Sequence, residues 1–301
     1  MIILAKFRQN HTRTGKRPFS GLLIRVILLA AILVVFFVAL FEFTNFSRSS
    51  EDIPIDLDPS DLRLMPRDYS SEVIDHGYYQ LGYNEDHEQA DWAAYVLTKS
   101  SLQIPNVPRS DYFIEDPLVR TTSAHHRDYS NSGYSRGHLV PAGDLAFNEE
   151  AMEASFYMSN MSPQLRAFNG GVWRELEECV RDWAYEKKSI LVATGPVFGN
   201  VTEYIGKTSQ VRVPSAFFKI VVDLDNQEGI GFLLDHSITD RPLSEFASSI
   251  DDIEEAINMD FFDHLYSGEA SEKRIEGTIN LDVWPISQKR YRQRVEIWNK
   301  N

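Results

Sequence analysis

The sequence of 301 residues predicts an α+β fold built on a mostly antiparallel β-sheet. Short apolar segments typical of strands lie on both sides of segments with helical spacing, and they lack the regular strand–helix alternation of a βαβ fold. A hydrophobic content of 43% is enough for one large core. No internal repeat is visible, so a repeat architecture is not expected.

Five segments have the composition of strands. Each is a run of apolar or aromatic residues bounded by residues that favour turns. In chain order they are residues 77–83, 89–97, 189–195, 213–222 and 229–234. The second of them is either a strand or a short amphipathic segment. The last two are joined by a polar turn, which predicts an antiparallel pair.

Two segments have the signals of helices. Residues 171–187 carry apolar side chains at intervals of three and four, which predicts one buried face. Ser249, with Asp252 three residues later, marks the start of a helix over 250–258. Cys179 is the only cysteine, which excludes an intrachain disulfide and a cysteine-based zinc site. Its place in the apolar repeat predicts a small core residue.

The first 66 residues are predicted to lie outside the fold. Residues 26–41 are uninterruptedly apolar. Extended back to residue 22, the segment spans the roughly 30 Å hydrocarbon layer at about 1.5 Å per residue. Basic residues precede it, so the positive-inside rule places the N-terminus in the cytoplasm. We therefore divide the chain into a basic cytoplasmic N-terminus (1–21), a transmembrane anchor (22–43), an acidic linker containing prolines (44–66) and a folded domain (67–301).

The position of this folded domain relative to the membrane follows from the anchor. It is expected on the far side of the membrane, in the periplasm of a bacterium or the intermembrane space of a mitochondrion. A mitochondrial inner-membrane protein would share the Arg-rich start with few acidic residues. A cleaved signal peptide is the alternative, although the end of the apolar run lacks small residues in an A-x-A arrangement.

The net charge of −14 limits how the domain can bind nucleic acid. The first fifty residues hold seven basic residues and one acidic residue, so the rest of the chain is more acidic than the whole. Such a domain cannot hold a polyanion through a broad positive surface, and any contact must depend on a few arginines and a metal ion. The basic run over 289–294 is expected to be a solvated end.

Residues 134–144 and 160–177 carry the side chains on which the functional prediction depends. With an ordinary pKa of about 6.5, His138 can act as a general base, and activity should fall as the pH drops through roughly 6 to 7. Arg136 lies on the same face if the segment is a strand, and it can stabilise charge on a phosphate. The amide oxygen of Asn169 suits a hard cation such as Mg²⁺. These groups together predict metal-dependent hydrolysis of a phosphodiester.

The spacing of Asn169 and Glu177 restricts what they can share. They are eight residues apart, which is about 12 Å of rise if both lie in one helix. They cannot then bind one ion directly. Either Asn169 lies ahead of the helix, which Gly170 and Gly171 favour, or Glu177 reaches the ion through bound water.

The two stretches resemble the DNA/RNA non-specific endonuclease family, the ββα-metal nucleases that include endonuclease G. The family pattern is Asp-Arg-Gly-His with Pro and Ala, then Asn-x-x-Pro-Gln, then Asn followed by Trp and Leu/Ile-Glu. The matching residues are Ser135, Arg136, Gly137 and His138 with Pro141 and Ala142, then Asn160, Pro163 and Gln164, then Asn169 with Trp173, Leu176 and Glu177. The resemblance covers about residues 77–265. It implies the ββα-metal nuclease fold, with a central, mostly antiparallel sheet flanked by helices. The transmembrane helix predicted from the apolar run would precede this fold.

The resemblance implies the chemical role of three residues. His138 would be the general base, Arg136 the cation that stabilises the transition state, and Asn169 the direct ligand of Mg²⁺, for which Mn²⁺ can substitute. The substrates would be DNA and RNA. Relatives often dimerise, so a homodimer stays open.

Three further positions follow from the resemblance. Glu177 would hold a metal-bound water, and Asn160 would orient either the site or the phosphate. Arg109 falls about where the family has a further arginine near the phosphate, although a surface arginine is an equal alternative. Ser135 departs from the pattern, because the family usually has Asp there. This leaves open how the strand is held and whether cleavage is exonucleolytic or endonucleolytic.

Two other functions stay open. One is hydrolysis of another phosphodiester, such as a nucleotide or a lipid headgroup, at the membrane. The other is a catalytically inactive member of the fold that binds nucleic acid. The presence of His138, Asn169 and Glu177 argues against the second alternative, because a binding module has no need of all three.

Overall fold

The computed structural model describes residues 64–67, 69, 71–200 and 202–300. The predicted cytoplasmic segment, the transmembrane anchor and nearly all of the linker lie outside the described residues, so the domain division stays a prediction. Within the described part of the chain, no helix has the length and hydropathy needed to cross a membrane. Leu64, three residues ahead of the predicted start of the domain, is already buried in the core.

A seven-stranded antiparallel sheet forms the centre of the domain, and two short strand pairs flank it. The strands are β1 (Glu72–Asp75), β2 (Gln80–Asn84), β3 (Gln89–Thr98), β4 (Tyr134–His138), β5 (Met161–Leu165), β6 (Ser189–Val197), β7 (Tyr204–Ile205), β8 (Val211–Arg212), β9 (Ala216–Asp223), β10 (Glu228–Asp235) and β11 (Ala247–Ser248). The central sheet has the order β1-β2-β3-β6-β9-β10-β11, while β4 pairs with β5 and β7 with β8. Every pair is antiparallel. The predicted antiparallel sheet is therefore confirmed.

Two of the five predicted strands differ from the structure at their N-terminal ends. The segment predicted over 77–83 begins as a turn between β1 and β2, because Gly77 has a φ of +77° and donates its N–H to the Asp75 side chain at 2.7 Å. The segment predicted from residue 213 starts as a strand only at Ala216. Pro214, just ahead of it, cannot donate a hydrogen bond to a sheet ladder.

The helices lie outside the central sheet. They are α1 (Lys99–Gln103), α2 (Glu149–Ser155), α3 (Arg166–Phe168), α4 (Arg174–Lys187), α5 (Ile250–Ile257), α6 (Glu269–Glu276) and α7 (Gln288–Glu296). Helix α4 starts three residues later than predicted, because Gly171 has the non-helical angles φ −105° and ψ −111°. Helix α5 is confirmed: the Ser249 hydroxyl accepts the N–H of Asp252 at 3.2 Å.

The two faces of the central sheet are covered by separate apolar clusters. One cluster joins the sheet to α4 and includes Cys179, which is buried as predicted. The other joins the opposite side to α5 and α6 through Ile250, Ile253 and Ile275. Because both faces are covered, β9 is buried along its whole length. The described α4 and α5–α6 regions therefore lie on different sides of the sheet.

The basic run near the C-terminus is not the solvated end expected from the sequence. It forms α7, and Arg290 pairs with Asp182 and with Glu178 at 3.0 Å. The side chains of Arg294 and Glu175 are both 0% exposed and form an ion pair. Arg294 also donates to the Arg241 carbonyl at 2.6 Å. The run is therefore an anchor for the tail against α4, an arrangement that local sequence cannot indicate.

Candidate active site

A cavity of about 600 Å³ opens beside the strands β4 and β5 and the start of α4. Two antiparallel strands followed by a helix form the ββα unit expected from the resemblance. Five of the six predicted site residues line this cavity: Arg109, Arg136, His138, Asn169 and Glu177. Asn160 does not line it.

Strand β4 places Arg136 and His138 on one face. Both line the cavity, as the two-residue period of a strand predicts. Gly137 between them faces the side chain of Gln164 on β5. A Cβ at Gly137 would lie 2.1 Å from Cδ of Gln164, so only glycine fits. The close approach of β4 and β5 therefore requires the glycine of the motif.

His138 sits in an apolar setting. Its Nε2 is buried without a hydrogen-bond partner, and its ring centroid lies 4.9 Å from that of Phe156 in a perpendicular arrangement. Burial, together with the positive charge of Arg109, lowers the pKa of His138 to about 3. The imidazole is therefore neutral at pH 7 and able to accept a proton. The ordinary pKa expected from the sequence is wrong for this position, so a loss of activity between pH 7 and 6 cannot be assigned to His138.

Arg136 is held in place by the chain ahead of it. Its Nε and Nη2 donate to the carbonyl oxygen of His126 at 3.1 and 2.7 Å. The guanidinium lies over the ring of Phe113, 4.9 Å from the centroid. Because these contacts fix the side chain without substrate, its positive charge is already directed at the cavity.

Asn169 lies ahead of α4, in the π-helical turn Asn169–Trp173, which agrees with the first alternative left open by the spacing and leaves the second one open. Its Nδ2 donates to the hydroxyl of Ser135 at 3.0 Å, and that hydroxyl donates to the Gln164 carbonyl at 2.8 Å. The amide nitrogen is thus committed to β4. The amide oxygen is left available to a cation in the cavity.

Glu177 lies on α4 and faces the same cavity. Burial raises the pKa of this carboxyl, while the charges of Arg181 and Lys219 act to lower it. One amide oxygen and one carboxylate around an open cavity suit a hard cation that keeps several of its waters, as Mg²⁺ does. Asn169 and Glu177 offer oxygen ligands, whereas zinc sites are typically built from sulfur and histidine nitrogen.

Asn160 is fully buried and its amide is used within the fold. Its Nδ2 donates to the carbonyls of Val140 at 3.0 Å and Ser155 at 2.9 Å, and its Oδ1 accepts the N–H of Val140 at 2.9 Å. Of the two roles that the resemblance implied, contact with the phosphate does not fit this position. The hydrogen bonds of Asn160 with Val140 instead hold the chain just after His138.

Arginines make the cavity locally basic in an acidic domain. Arg109 is exposed, and its nearest acidic partner, Asp111, is 3.6 Å away. Three arginines on the cavity wall were not identified from the sequence: Arg166, Arg174 and Arg181. Arg174 and Arg181 lie three residues before and four residues after Glu177, a helical spacing that could have indicated them. No comparable spacing in the sequence indicates Arg166.

Lys219 is a further residue that the sequence analysis left without a role. Its ammonium is fully buried on β9 without a hydrogen-bond partner, 4.8 Å from the centroid of the Trp173 ring. Burial lowers the pKa of Lys219, and the charge of Glu177 raises it. A lysine within an otherwise apolar strand is unusual, and this feature of the sequence could have indicated that Lys219 has a role. Its charge acts on Glu177 from beneath the cavity.

Comparison with known proteins gives consistent matches. The sequence model of the family described as DNA/RNA non-specific endonuclease matches residues 64–267. Nuclease C1 of Cunninghamella echinulata var. echinulata is 35% identical over 214 residues, which is 64% of this chain and 84% of that protein. The mitochondrial nuclease 1 of Schizosaccharomyces pombe is 29% identical over 240 residues, covering 73% and 74% of the two chains.

Among solved structures, the crystal structure of the EndoG/EndoGI complex is similar to this fold. The TM-score is 0.62 at 27% sequence identity, and the match covers 69% of this chain and 90% of the other. The residues matched by the family model include every residue that lines the cavity.

Proposed function

Because the chain belongs to the DNA/RNA non-specific endonuclease family, and is therefore an endonuclease that hydrolyses phosphodiester bonds, we propose that it is a magnesium-dependent nuclease that does not discriminate between DNA and RNA. In this proposal Mn²⁺ can replace Mg²⁺, and the N-terminal segment anchors the nuclease in a membrane. The observation that carries the proposal is that His138, Asn169 and Glu177 face one cavity whose remaining charged wall is mostly arginine.

His138 supplies the base. A neutral imidazole accepts the proton of the attacking water, and the low pKa caused by burial keeps His138 neutral over the physiological range. Asn160 fixes the chain that follows, so the ring is held by the fold as well as by Phe156. The base is thus available without any prior deprotonation step.

Two residues would hold the metal. The oxygen of Asn169 would be the direct ligand, and the carboxylate of Glu177 would hold water bound to the ion. When bound, Mg²⁺ binds phosphate oxygens and stabilises the charge that develops during hydrolysis. An amide ligand is neutral, so it leaves the full charge of the ion for the substrate.

The arginines explain both phosphate binding and the lack of sugar specificity. Arg136 and Arg109 place positive charge beside His138, where the phosphate must lie for water to attack it. Contacts to phosphate carry no information about base or sugar. A site that binds its substrate mainly through contacts between arginines and phosphates therefore accepts DNA and RNA alike.

The proposed location rests on the N-terminal segment and on the relatives. Several relatives are named as mitochondrial nucleases, including those of Saccharomyces cerevisiae, Schizosaccharomyces pombe and Homo sapiens. We propose that the segment 22–43 is an uncleaved anchor with the N-terminus in the cytoplasm or matrix and the nuclease domain on the far side, which in a mitochondrion is the intermembrane space.

A cleavage assay tests the catalytic proposal. Supercoiled plasmid, single-stranded RNA and a small synthetic phosphodiester are each incubated with the purified protein in Mg²⁺, in Mn²⁺ and in EDTA. Both nucleic acids should be cleaved with either metal and not with EDTA. Cleavage of only the small phosphodiester would instead identify a hydrolase of another class. Binding of nucleic acid without cleavage above a His138→Ala control would identify an inactive member of the fold.

A further inference from the structure

A group of acidic side chains, away from the active-site cavity, lies on the side of the sheet that carries α5 and α6. Asp251 and Glu254 are three residues apart on α5 and so share one helix face, and Glu276 ends α6, which packs against α5. One oxygen from each of these three carboxylates lies within 4.8 Å of the other two. They face a cavity of about 480 Å³ whose lining also includes Asp260 and Glu272.

This acidic triad, Asp251, Glu254 and Glu276, is not paired with an arginine or lysine of the described residues. The one basic residue that lines the cavity is Arg67, and it pairs elsewhere, with Asp260 at 3.1 Å and with Asp263. The ion pairs that the described arginines and lysines form are all with other carboxylates. The phosphate-binding arginines belong to the other cavity.

Glu276 gives a second and independent observation. It is only 2% exposed, it lines the cavity, and its Oε1 is buried without a hydrogen-bond partner. The hydroxyl of Tyr266 lies beside this carboxyl, and it too is buried without a hydrogen bond of normal geometry. A buried carboxylate oxygen without such a bond or a counter-ion is strongly unfavourable, so native structures satisfy such groups. Burial and the neighbouring carboxylates raise the pKa of Glu276 to about 8 and that of Glu254 to about 9. A proton would satisfy one oxygen, whereas a divalent cation would satisfy three at once.

We propose that Asp251, Glu254 and Glu276 bind one hard divalent cation of the Ca²⁺ class at a site separate from the catalytic cavity. Ca²⁺ takes oxygen ligands at about 2.3–2.6 Å in a flexible geometry, so oxygens within this spacing fit one coordination sphere without movement of the helices. Mg²⁺ needs shorter distances of about 2.0–2.1 Å and stricter octahedral geometry, which makes it the poorer fit.

The bound cation would tie two helices together. Asp251 and Glu254 come from α5, while Glu276 comes from the end of α6, beyond the last residue matched by the family model. The site therefore joins the part of the chain that the family model matches to the segment that follows it. Its role is structural, and it does not depend on the catalytic proposal.

Calcium binding to protein stripped with EDTA tests this site. The measurements are made on full-length Asn169→Ala protein, so that binding at the catalytic cavity does not contribute, and no nucleic acid is present. We expect one Ca²⁺ per chain by calorimetric titration. We also expect the melting temperature to rise by roughly 5 °C or more at a hundred times the dissociation constant.

Matched variants assign the binding to the triad. Glu276→Gln keeps the shape of the side chain and should abolish both the binding and the melting shift. Asp251→Asn, at an exposed position that does not threaten folding, should weaken binding at least tenfold. Glu272 lies on α6 with Glu276 and lines the same cavity, but it is outside the triad. Glu272→Gln should therefore bind Ca²⁺ as tightly as the unchanged site does. A melting temperature that does not respond to Ca²⁺, or a response that persists in both triad variants, would overturn the proposal.

Discussion

Asn169 donates its amide N–H to the hydroxyl of Ser135 at 3.0 Å, across a sequence separation of 34 residues. Ser135 stands where the family pattern usually has Asp, and its hydroxyl supplies an acceptor for this amide. The same hydroxyl donates to the Gln164 carbonyl at 2.8 Å. These two hydrogen bonds hold β4 although Ser135 lacks the carboxylate of the usual Asp. The bond from Asn169 also orients its amide oxygen toward the cavity.

Replacement of Ser135 tests this orientation. In Ser135→Ala the amide of Asn169 loses its partner, so the Mg²⁺ concentration for half-maximal activity should rise about 10-fold or more, as for other residues that orient a metal ligand. The maximal rate at saturating Mg²⁺ should largely return. Rates measured over a range of Mg²⁺ concentrations check this. Ser130→Ala, an exposed serine nearby, serves as the control. A lower maximal rate with an unchanged Mg²⁺ requirement would argue against the orienting role.

Substitutions at the base and at the metal ligand should have distinct effects. His138→Ala should lower the rate by about 10² to 10⁴ at every Mg²⁺ concentration, because it removes the proton acceptor. Asn169→Ala should recover part of its loss at high Mg²⁺. The double variant should be little worse than the poorer single variant, since both groups act on one step. Circular dichroism and melting curves verify that each variant folds. Full additivity of the two losses would contradict action on one step.

The acid side of the pH profile should report Glu177 rather than His138. With its pKa lowered to about 3, His138 stays neutral from pH 5 to 8. Burial raises the pKa of Glu177, and its carboxyl must be ionised to hold metal-bound water. Activity should therefore fall with decreasing pH at a pH above the usual pKa range of a glutamate. Lys219→Met removes a positive charge that lowers the pKa of Glu177. The acid midpoint of kcat/KM at saturating Mg²⁺ should therefore move to higher pH.

The control for this shift is Lys207→Met, at an exposed position outside the cavity. Its acid midpoint should equal that of the wild type. The coupling between Lys219 and Glu177 would be refuted by an unchanged midpoint in Lys219→Met, or by a shift to lower pH.

The buried pair of Arg294 and Glu175 should contribute to stability. Arg294→Met leaves the Glu175 carboxylate buried without its partner, which should cost about 3–5 kcal/mol in the free energy of unfolding. Adding Glu175→Gln removes the unpaired charge and should recover part of this loss. Urea denaturation measures both. Arg292→Met, exposed on the same helix, should change stability by no more than about 0.5 kcal/mol. Equal stability of Arg294→Met and the wild type would show that the tail is not anchored by this pair.

The proposed anchor can be tested by protease protection. In sealed vesicles or mitochondria with the outer membrane removed, the nuclease domain should be cleaved only by protease on the far side of the membrane from the N-terminus. Deletion of residues 1–43 should release the domain from the membrane fraction. Cleavage of the domain from the cytoplasmic or matrix side, or membrane association that survives the deletion, would contradict the proposed topology.

The sequence by itself determined the features that depend on neighbouring residues. The two-residue period of a strand placed Arg136 and His138 on one face, and the apolar spacing around Cys179 gave the helix α4. Ser249 marked the start of α5, because capping is a contact over three residues. The two stretches around His138 and Asn169 were also sufficient to indicate the family.

Only the tertiary structure decided the state of those residues. The low pKa of His138 comes from burial by Phe156 and from the charge of Arg109, neither of which adjoins it in sequence. Ser135, the hydrogen-bond partner of Asn169, is 34 residues away from it, and Arg294 pairs with Glu175 across 119 residues. Periodicity and caps are local in the chain, whereas desolvation and charge pairing depend on which distant segments the fold brings into contact.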